Sequence, residues 1–305
     1  MLVKCLLLRL HIIPADELPA RCGRRPAWRN RIQSRDVDDG LNKLIGGATS
    51  DHGKYPWTVN IYWRNVTDGV VTSGQVCGGA IISEYWVLTA ASCLFYVNAS
   101  SHFIVVGDFD RQMQEEGEQR FMVDEFIPHE QFTVSMNGDY NIALIKVANT
   151  SDGRGIRFNN YVQPICLPDY GQTCPDNESV VVTGWGSHLP MYLHSYGVLK
   201  EIRLQCRNNS DCRTRIYPGV EISDRMFCAG KLNGDRNVCE GDFGGPAALK
   251  IGSVFILVGI VSHGTVCELP FDPVIFSRVS EYLYWIRTTI INNSDLHERT
   301  IPGRT

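Results

Sequence analysis

Two kinds of side chain recur often enough to do covalent chemistry. The first is cysteine: the 305-residue chain holds 11 of them, more than a reducing cytosol usually leaves in an enzyme of this size. None falls in paired C-x-x-C spacing, which argues against zinc knuckles and for disulfides. The second is asparagine in Asn-x-Ser/Thr, the acceptor of N-linked glycans. Six such sites occur, at Asn65, Asn98, Asn149, Asn177, Asn208 and Asn292. Together they point to an oxidising, glycosylating route, and the chain is read as secreted and extracellular.

Composition excludes other classes. A hydrophobic fraction of 44% with 20% charged residues suits a packed globular protein. Lys plus Arg is 29 against 33 Asp plus Glu, net −4, so no nucleic-acid partner is expected. No apolar run approaches the about 18 residues of a membrane span; Val254–Val261 is only strand-length, and no membrane partner is expected. Met1–Ile13 is apolar but broken by Lys4, Arg9 and His11, and no small-x-small site follows, so it is a poor secretory signal.

The elements that must position these residues are mostly strands. Residues 14–43 are rich in Pro, Arg and Asp and read as a linker. From Leu44 short β-branched and aromatic runs alternate with Gly, Asn and Asp clusters: Trp57–Tyr62, Ala80–Leu88, Phe103–Val106, Ile142–Val147, Val180–Thr183, Val254–Val261 and Val274–Val279. That spacing predicts an all-β sandwich or barrel. Glu281 to Asn292 is amphipathic and predicts a closing helix.

Nine local motifs follow in one order. They are Leu44-Ile45-Gly46-Gly47, Tyr55-Pro56-Trp57, Cys77-Gly78-Gly79-Ala80 running to Thr89-Ala90-Ala91-Ser92-Cys93, Asn141-Ile142-Ala143-Leu144, and Pro164-Ile165-Cys166-Leu167-Pro168. Then come Thr183-Gly184-Trp185-Gly186, Phe227-Cys228-Ala229-Gly230, Cys239-Glu240-Gly241-Asp242-Phe243-Gly244-Gly245-Pro246 and Val261-Ser262-His263-Gly264. From Leu44 to about Asn292 the chain resembles the chymotrypsin/trypsin family of serine proteases. The resemblance implies an all-β fold of two six-stranded antiparallel β-barrels with a C-terminal α-helix. It divides the chain into a leader and pro-segment (1–43), a protease-like domain (44–292, barrels roughly 44–160 and 161–280) and a tail (293–305).

The family's chemistry needs a serine nucleophile, a histidine base and a buried aspartate that orients it. At those positions this chain carries Phe243, Ser92 and Asn141. Loss of one triad member costs on the order of a million-fold in turnover in a well-studied protease, so the chain is expected not to be an enzyme. The backbone amides of Gly241 and Phe243 match the family's oxyanion hole. Asp139 and His263 lie near the gap and are read as a turn residue and a wall residue. The pocket floor position is Asn237 and the wall positions are Gly264 and Val274, where a β-branched side chain is expected to narrow the pocket.

The resemblance also implies an activation switch. Cutting after Lys43 would free the Leu44 ammonium to pair with Asp242. The family's bridges imply Cys77–Cys93, Cys212–Cys228, Cys239–Cys267 and Cys22–Cys166, the last tethering the pro-segment after the cut. Val180 and Leu249 stand where the family often has another bridge. Cys174 and Cys206 remain and are expected to pair; Cys5 is odd. Glu115, Glu116 and Glu118 match a loop that binds calcium in some members but are read as a solvated charged loop, so no metal and no cofactor are expected.

The function expected from this pattern is a secreted, non-catalytic serine protease homologue that acts by binding a protein partner, after cutting by a trypsin-like protease. An active endopeptidase and a constitutive adhesive glycoprotein are the alternatives.

Overall fold

The computed structural model describes residues 18–19, 21–26, 48–67, 70–93, 98–134, 138–186, 197–213, 222–230, 242–263 and 273–298. Six strands close the first barrel: β2 (Thr58–Thr67), β3 (Val70–Ile81), β4 (Trp86–Thr89), β5 (His102–Val106), β6 (Gln119–Pro128) and β7 (Ala143–Val147), in the order β2-β3-β4-β7-β6-β5. The second barrel is built from β8 (Ser179–Gly184), β9 (Lys200–Arg207), β10 (Met226–Gly230), β11 (Pro246–Ile251), β12 (Val254–His263) and β13 (Val274–Arg278). Its order is β9-β10-β13-β12-β11-β8, and pairing of β8 with β9 closes it. Closure pairs the sheet edges of each barrel among the described residues, except where β2 and β3 extend beyond the first one.

The strands form because one face of each can be buried. In β9, Ile202, Leu204 and Cys206 point inward while Glu201, Arg203 and Gln205 alternate between them. The same period of two places Phe121 and Val123 of β6 inside. The run Ala80–Leu88 is not one strand: it is the end of β3, a turn at Ser83–Tyr85, and β4.

The termini cross between the barrels. The short strand β1 (Ala48–Thr49) pairs with β9 of the second barrel, Ala48 opposite Glu201 and Thr49 opposite Lys200. A 3-10 turn at Val279–Tyr282 leads into helix α2 (Leu283–Glu298), which runs past the expected end at Asn292. Its Leu283, Ile286 and Ile290 join the core of the first barrel. Helix α1 (Asn209–Arg213) is a single short segment beside β10.

Candidate functional site

The seam between the barrels gathers Ser92, Asn141 and Phe243, the three positions singled out in the sequence. Ser92 lies on a 3-10 turn, Ala91–Cys93, directly after β4. That turn is fixed by the Cys77–Cys93 bridge, with an S–S distance of 2.04 Å. Asn141 is buried just before β7. Its Oδ1 accepts from the Ser92 backbone N–H at 2.8 Å, and its Nδ2 donates to Ser92 Oγ at 3.1 Å, Ser262 O at 3.1 Å and Ser262 Oγ at 3.0 Å. The amide orientation is forced: the Ser92 N–H only donates and the Ser262 carbonyl only accepts. Ser277 Oγ donates to the Asn141 carbonyl at 2.7 Å. Asn141 thus sews the first barrel to β12 and β13 of the second.

Phe243 sits on the same seam, half-buried and packed against the cores of both barrels. Its carbonyl accepts from the Gly78 N–H at 2.7 Å. The next residue must be glycine. Gly244 has φ +76°, and a Cβ there would lie 2.3 Å from Thr89 Oγ1 and 2.6 Å from Gly78 O. Gly244 N donates to Val261 O at 2.8 Å and Val261 N to Gly245 O at 3.0 Å, locking this loop onto β12. Ser92 and Asn141 therefore touch, while Phe243 reaches the same seam through Gly78.

Val274 is fully buried among Phe227, Ala229 and Phe276 in the core of the second barrel. Asn237, Gly241, Gly264, Lys43, Leu44 and the Cys239–Cys267 pair lie outside the described residues, as does the side chain of His263.

Asp242 occupies a small cavity lined by Thr183, Gly184, Gly186, Lys200 and Glu201. Its Oδ1 accepts from the Gly186 N–H at 2.9 Å. Position 184 must be glycine, because a Cβ there would meet that oxygen at 2.0 Å. Two residues of this cavity, Lys200 and Glu201, are the partners of β1. Lys200 Nζ also donates to Thr49 Oγ1 at 2.8 Å, and burial pulls the Lys200 ammonium below its usual pKa. Leu44 stands four residues before Ala48, a span that reaches about 14 Å when extended.

Asp139 does not lean toward Asn141. Arg225 grips it from Nε at 3.1 Å and Nη2 at 2.5 Å, with Ser223 Oγ at 3.1 Å and the Tyr140 N–H at 2.9 Å. Burial pushes this carboxyl up, but those donors outweigh it and hold its pKa below the usual range. Ser262, Ser277 and Arg225 are functional neighbours that sequence reasoning missed. Ser262 had a signal, since it stands inside the Val261–Gly264 motif; Ser277 and Arg225 had none.

The acidic stretch is tied to its own loop. Glu115 Oε2 accepts from the Phe109 N–H at 2.5 Å and the Asp110 N–H at 3.0 Å, and Glu118 Oε2 from the Glu115 N–H at 3.2 Å. Beside them Asp108 is buried, and burial, ahead of the nearby Glu118 and Glu115, raises its pKa to about 6. Its Oδ2 accepts from Asn60 Nδ2 at 3.3 Å, while its Oδ1 and the Asn60 Oδ1 have no hydrogen-bond partner.

Four disulfides are formed among the described residues: Cys22–Cys166, Cys77–Cys93, Cys174–Cys206 and Cys212–Cys228. Beside the first, Gly23 N donates to Pro164 O at 2.8 Å and Phe255 N to Gly23 O at 2.9 Å. A Cβ on Gly23 would lie 2.2 Å from the Phe255 carbonyl. All six sequon asparagines are exposed. No described helix is long and apolar enough to cross a membrane.

Comparison with known proteins bears on this geometry. The family model described as Trypsin matches residues 44–286. The urokinase-type plasminogen activator of Gallus gallus is 32% identical over 80% of this chain and 56% of its own length. The hepatocyte growth factor activator serine protease of Homo sapiens is 30% identical over 92% of this chain and 41% of its own. Coagulation factor XI of Bos taurus is 33% identical over 80% and 37%. The chain thus spans about half or less of the curated relatives it matches. These relatives correct the expectation that the chain stands outside the enzymes: they include a named serine protease and a plasminogen activator, so its class is that of the serine proteases. With two closed barrels, the ordered motifs on their seam and a family match over most of its length, the chain belongs to the trypsin family.

Proposed function

We propose that this trypsin-family domain is a secreted glycoprotein that acts by recognising a protein partner, and that cutting after Lys43 by a trypsin-like protease switches it on. The observation that carries this reading is the Asp242 cavity. Its carboxylate faces a wall formed by the same two residues that pair with β1, so a new terminus at Leu44 starts within reach of it. An ammonium arriving there would add an opposite charge to a half-buried carboxylate that the Gly186 N–H already holds, and would order the loop around Phe243. The Cys22–Cys166 bridge and the docked Gly23 supply the second part: the pro-segment stays attached after the cut. In this reading Asn141 and Ser92 hold the seam rigid, and the partner is met by the rim of the cleft.

The test uses the full chain, intact and cut after Lys43, as paired baits in the source fluid. A partner held by the cut form and lost in Asp242→Asn supports the switch. An identical partner set for both baits overturns it. A second reading, endopeptidase action, is favoured by the names of the relatives. It is read in the same preparations: ester turnover or labelling by a serine-directed phosphonate after the cut would support it over recognition alone.

A further inference from the structure

The outer half of the β2/β3 hairpin leaves the barrel. Pairing of β2 with β5 ends at Trp63 opposite His102, and β3 pairs with β4 only at Ala80 and Ile81. Beyond Trp63 the two strands run on as a ribbon down to Thr67 opposite Val70. Among the described residues neither outer edge of that ribbon has a strand partner. Among polar side chains such as Arg64, Asn65, Thr67 and Thr72 it exposes three large apolar ones: Trp63, Val66 and Val70 are 39%, 53% and 63% exposed. An open, apolar two-stranded edge is a template for association unless something covers it.

The covering group is encoded beside it. Asn65-Val66-Thr67 is a sequon, and among the described residues Asn65 is the sequon asparagine that lies in a β-strand. Side chains alternate along a strand, so Trp63, Asn65 and Thr67 share one face, with Gly74, Thr72 and Val70 directly across. Trp63 lies against Gly74, where a Cβ would be 2.6 Å from its Nε1, so no side chain opposite crowds the indole. Two residues along a strand is about 6.7 Å, a span the first sugar ring on Asn65 covers. By contrast, Asn98 and Asn208 accept hydrogen bonds from the Ser100 and Ser210 N–H groups and cap short helical turns. Asn292 lies in helix α2, where its neighbour two residues back is on another face.

We propose that Asn65 carries an N-linked glycan whose first N-acetylhexosamine stacks on Trp63 and shields the ribbon face that carries Trp63 and Val70. Asn65 Nδ2 attacks C1 of an activated, lipid-linked oligosaccharide. The C1–N bond forms, the C1–O bond to pyrophosphate breaks, the lipid pyrophosphate leaves, and one amide proton passes to a base. The apolar face of the sugar then lies on the indole, an aromatic surface that gains by being covered.

This rests on the secretory reading above, and the experiment separates the two. The full chain is made in a secreting eukaryotic cell and its sequons are mapped by mass spectrometry. Thermal melts and size-exclusion profiles are taken for the parent, Thr67→Ala, Trp63→Leu and the double variant. Asn65 is expected to be occupied. Thr67→Ala, which removes the glycan and leaves the indole, is expected to lower Tm by about 2–4 °C and to add higher-mass species. In the Trp63→Leu background the same change should move Tm by less than about 1 °C. An empty Asn65 beside other occupied sequons overturns the site, and equal Tm shifts in both backgrounds overturn the stacking. If every sequon is empty, the secretory reading fails first and takes this inference with it.

Discussion

Among the described residues two buried asparagines meet opposite fates. Asn141, on the seam, spends both donors and its acceptors: on Ser92, on Ser262 and, through its carbonyl, on Ser277. Asn60, inside the first barrel, donates to Tyr62 and Asp108 but leaves its own Oδ1 unanswered, as does Asp108. The first site is neutral and complete, so it is a rivet. The second pairs an amide with a buried carboxyl that has a donor on one oxygen and none on the other, so it titrates. Completeness of the hydrogen-bond set, more than depth of burial, decides which polar group is structural and which responds to pH.

The largest expected effect comes from breaking the complete set. Asn141→Ala strands the Ser92 N–H and the Ser262 carbonyl at once, and should cost about 3 kcal/mol at one to three per orphaned group; urea unfolding measures it. Asn141→Asp keeps the acceptor for the Ser92 N–H but sets an acceptor against the Ser262 carbonyl, so it should also destabilise, and more at pH 8 than at pH 4. A loss under about 0.5 kcal/mol for Asn141→Ala would refute the rivet.

Next comes the incomplete set. The Asp108 carboxyl titrates near 6 when folded against 3.8 in its ordinary state. A raised acid favours the protonated fold, so this contribution is fully present below pH 3.8 and is lost as pH rises through about 6. Two pH units set an upper bound of about 3 kcal/mol. Asp108→Asn should therefore stabilise at pH 8, by about 1–2 kcal/mol once relaxation is allowed for, because the new amide can donate to Asn60 Oδ1. The gain should vanish near pH 4. A gain that is flat with pH would sink this account.

A smaller effect is expected at Arg225. It is partly exposed, and its carboxylate partner Asp139 is better buried. Arg225→Ala removes the two-pronged grip and the cation held 4.3 Å over the Tyr140 ring, for about 1 kcal/mol at this exposure. Raising salt should shrink the difference between variant and parent.

How much of this was legible beforehand depended on the kind of signal. Strands that bury both faces, such as Val254–Val261 within β12, announce themselves as unbroken apolar runs. β9 and β6 did not, because polar or partly exposed residues such as Arg203, Gln205, Arg120 and Asp124 interrupt their buried positions and leave no continuous apolar run. Ser92, Asn141 and Phe243 could be placed from flanking motifs, since a motif marks position whatever side chain fills it. What they do could not. The Asn141 network needs Ser262 and Ser277, more than 120 residues away, and no local pattern encodes a contact across that distance. The grip of Arg225 on Asp139, expected only as a turn residue, was hidden for the same reason.

The crossed termini have a consequence for how the chain is born. Ala48 and Thr49, made before every strand of the first barrel, pair with the barrel that is finished later, and helix α2, made after the last barrel strand, packs on the barrel that could otherwise close early. Neither half is complete as a nascent chain. The first barrel waits for Ile286 and Ile290 to complete its core, and Ala48 and Thr49 wait for β9. Such a clasp couples the two barrels, and a single calorimetric transition is the expected outcome.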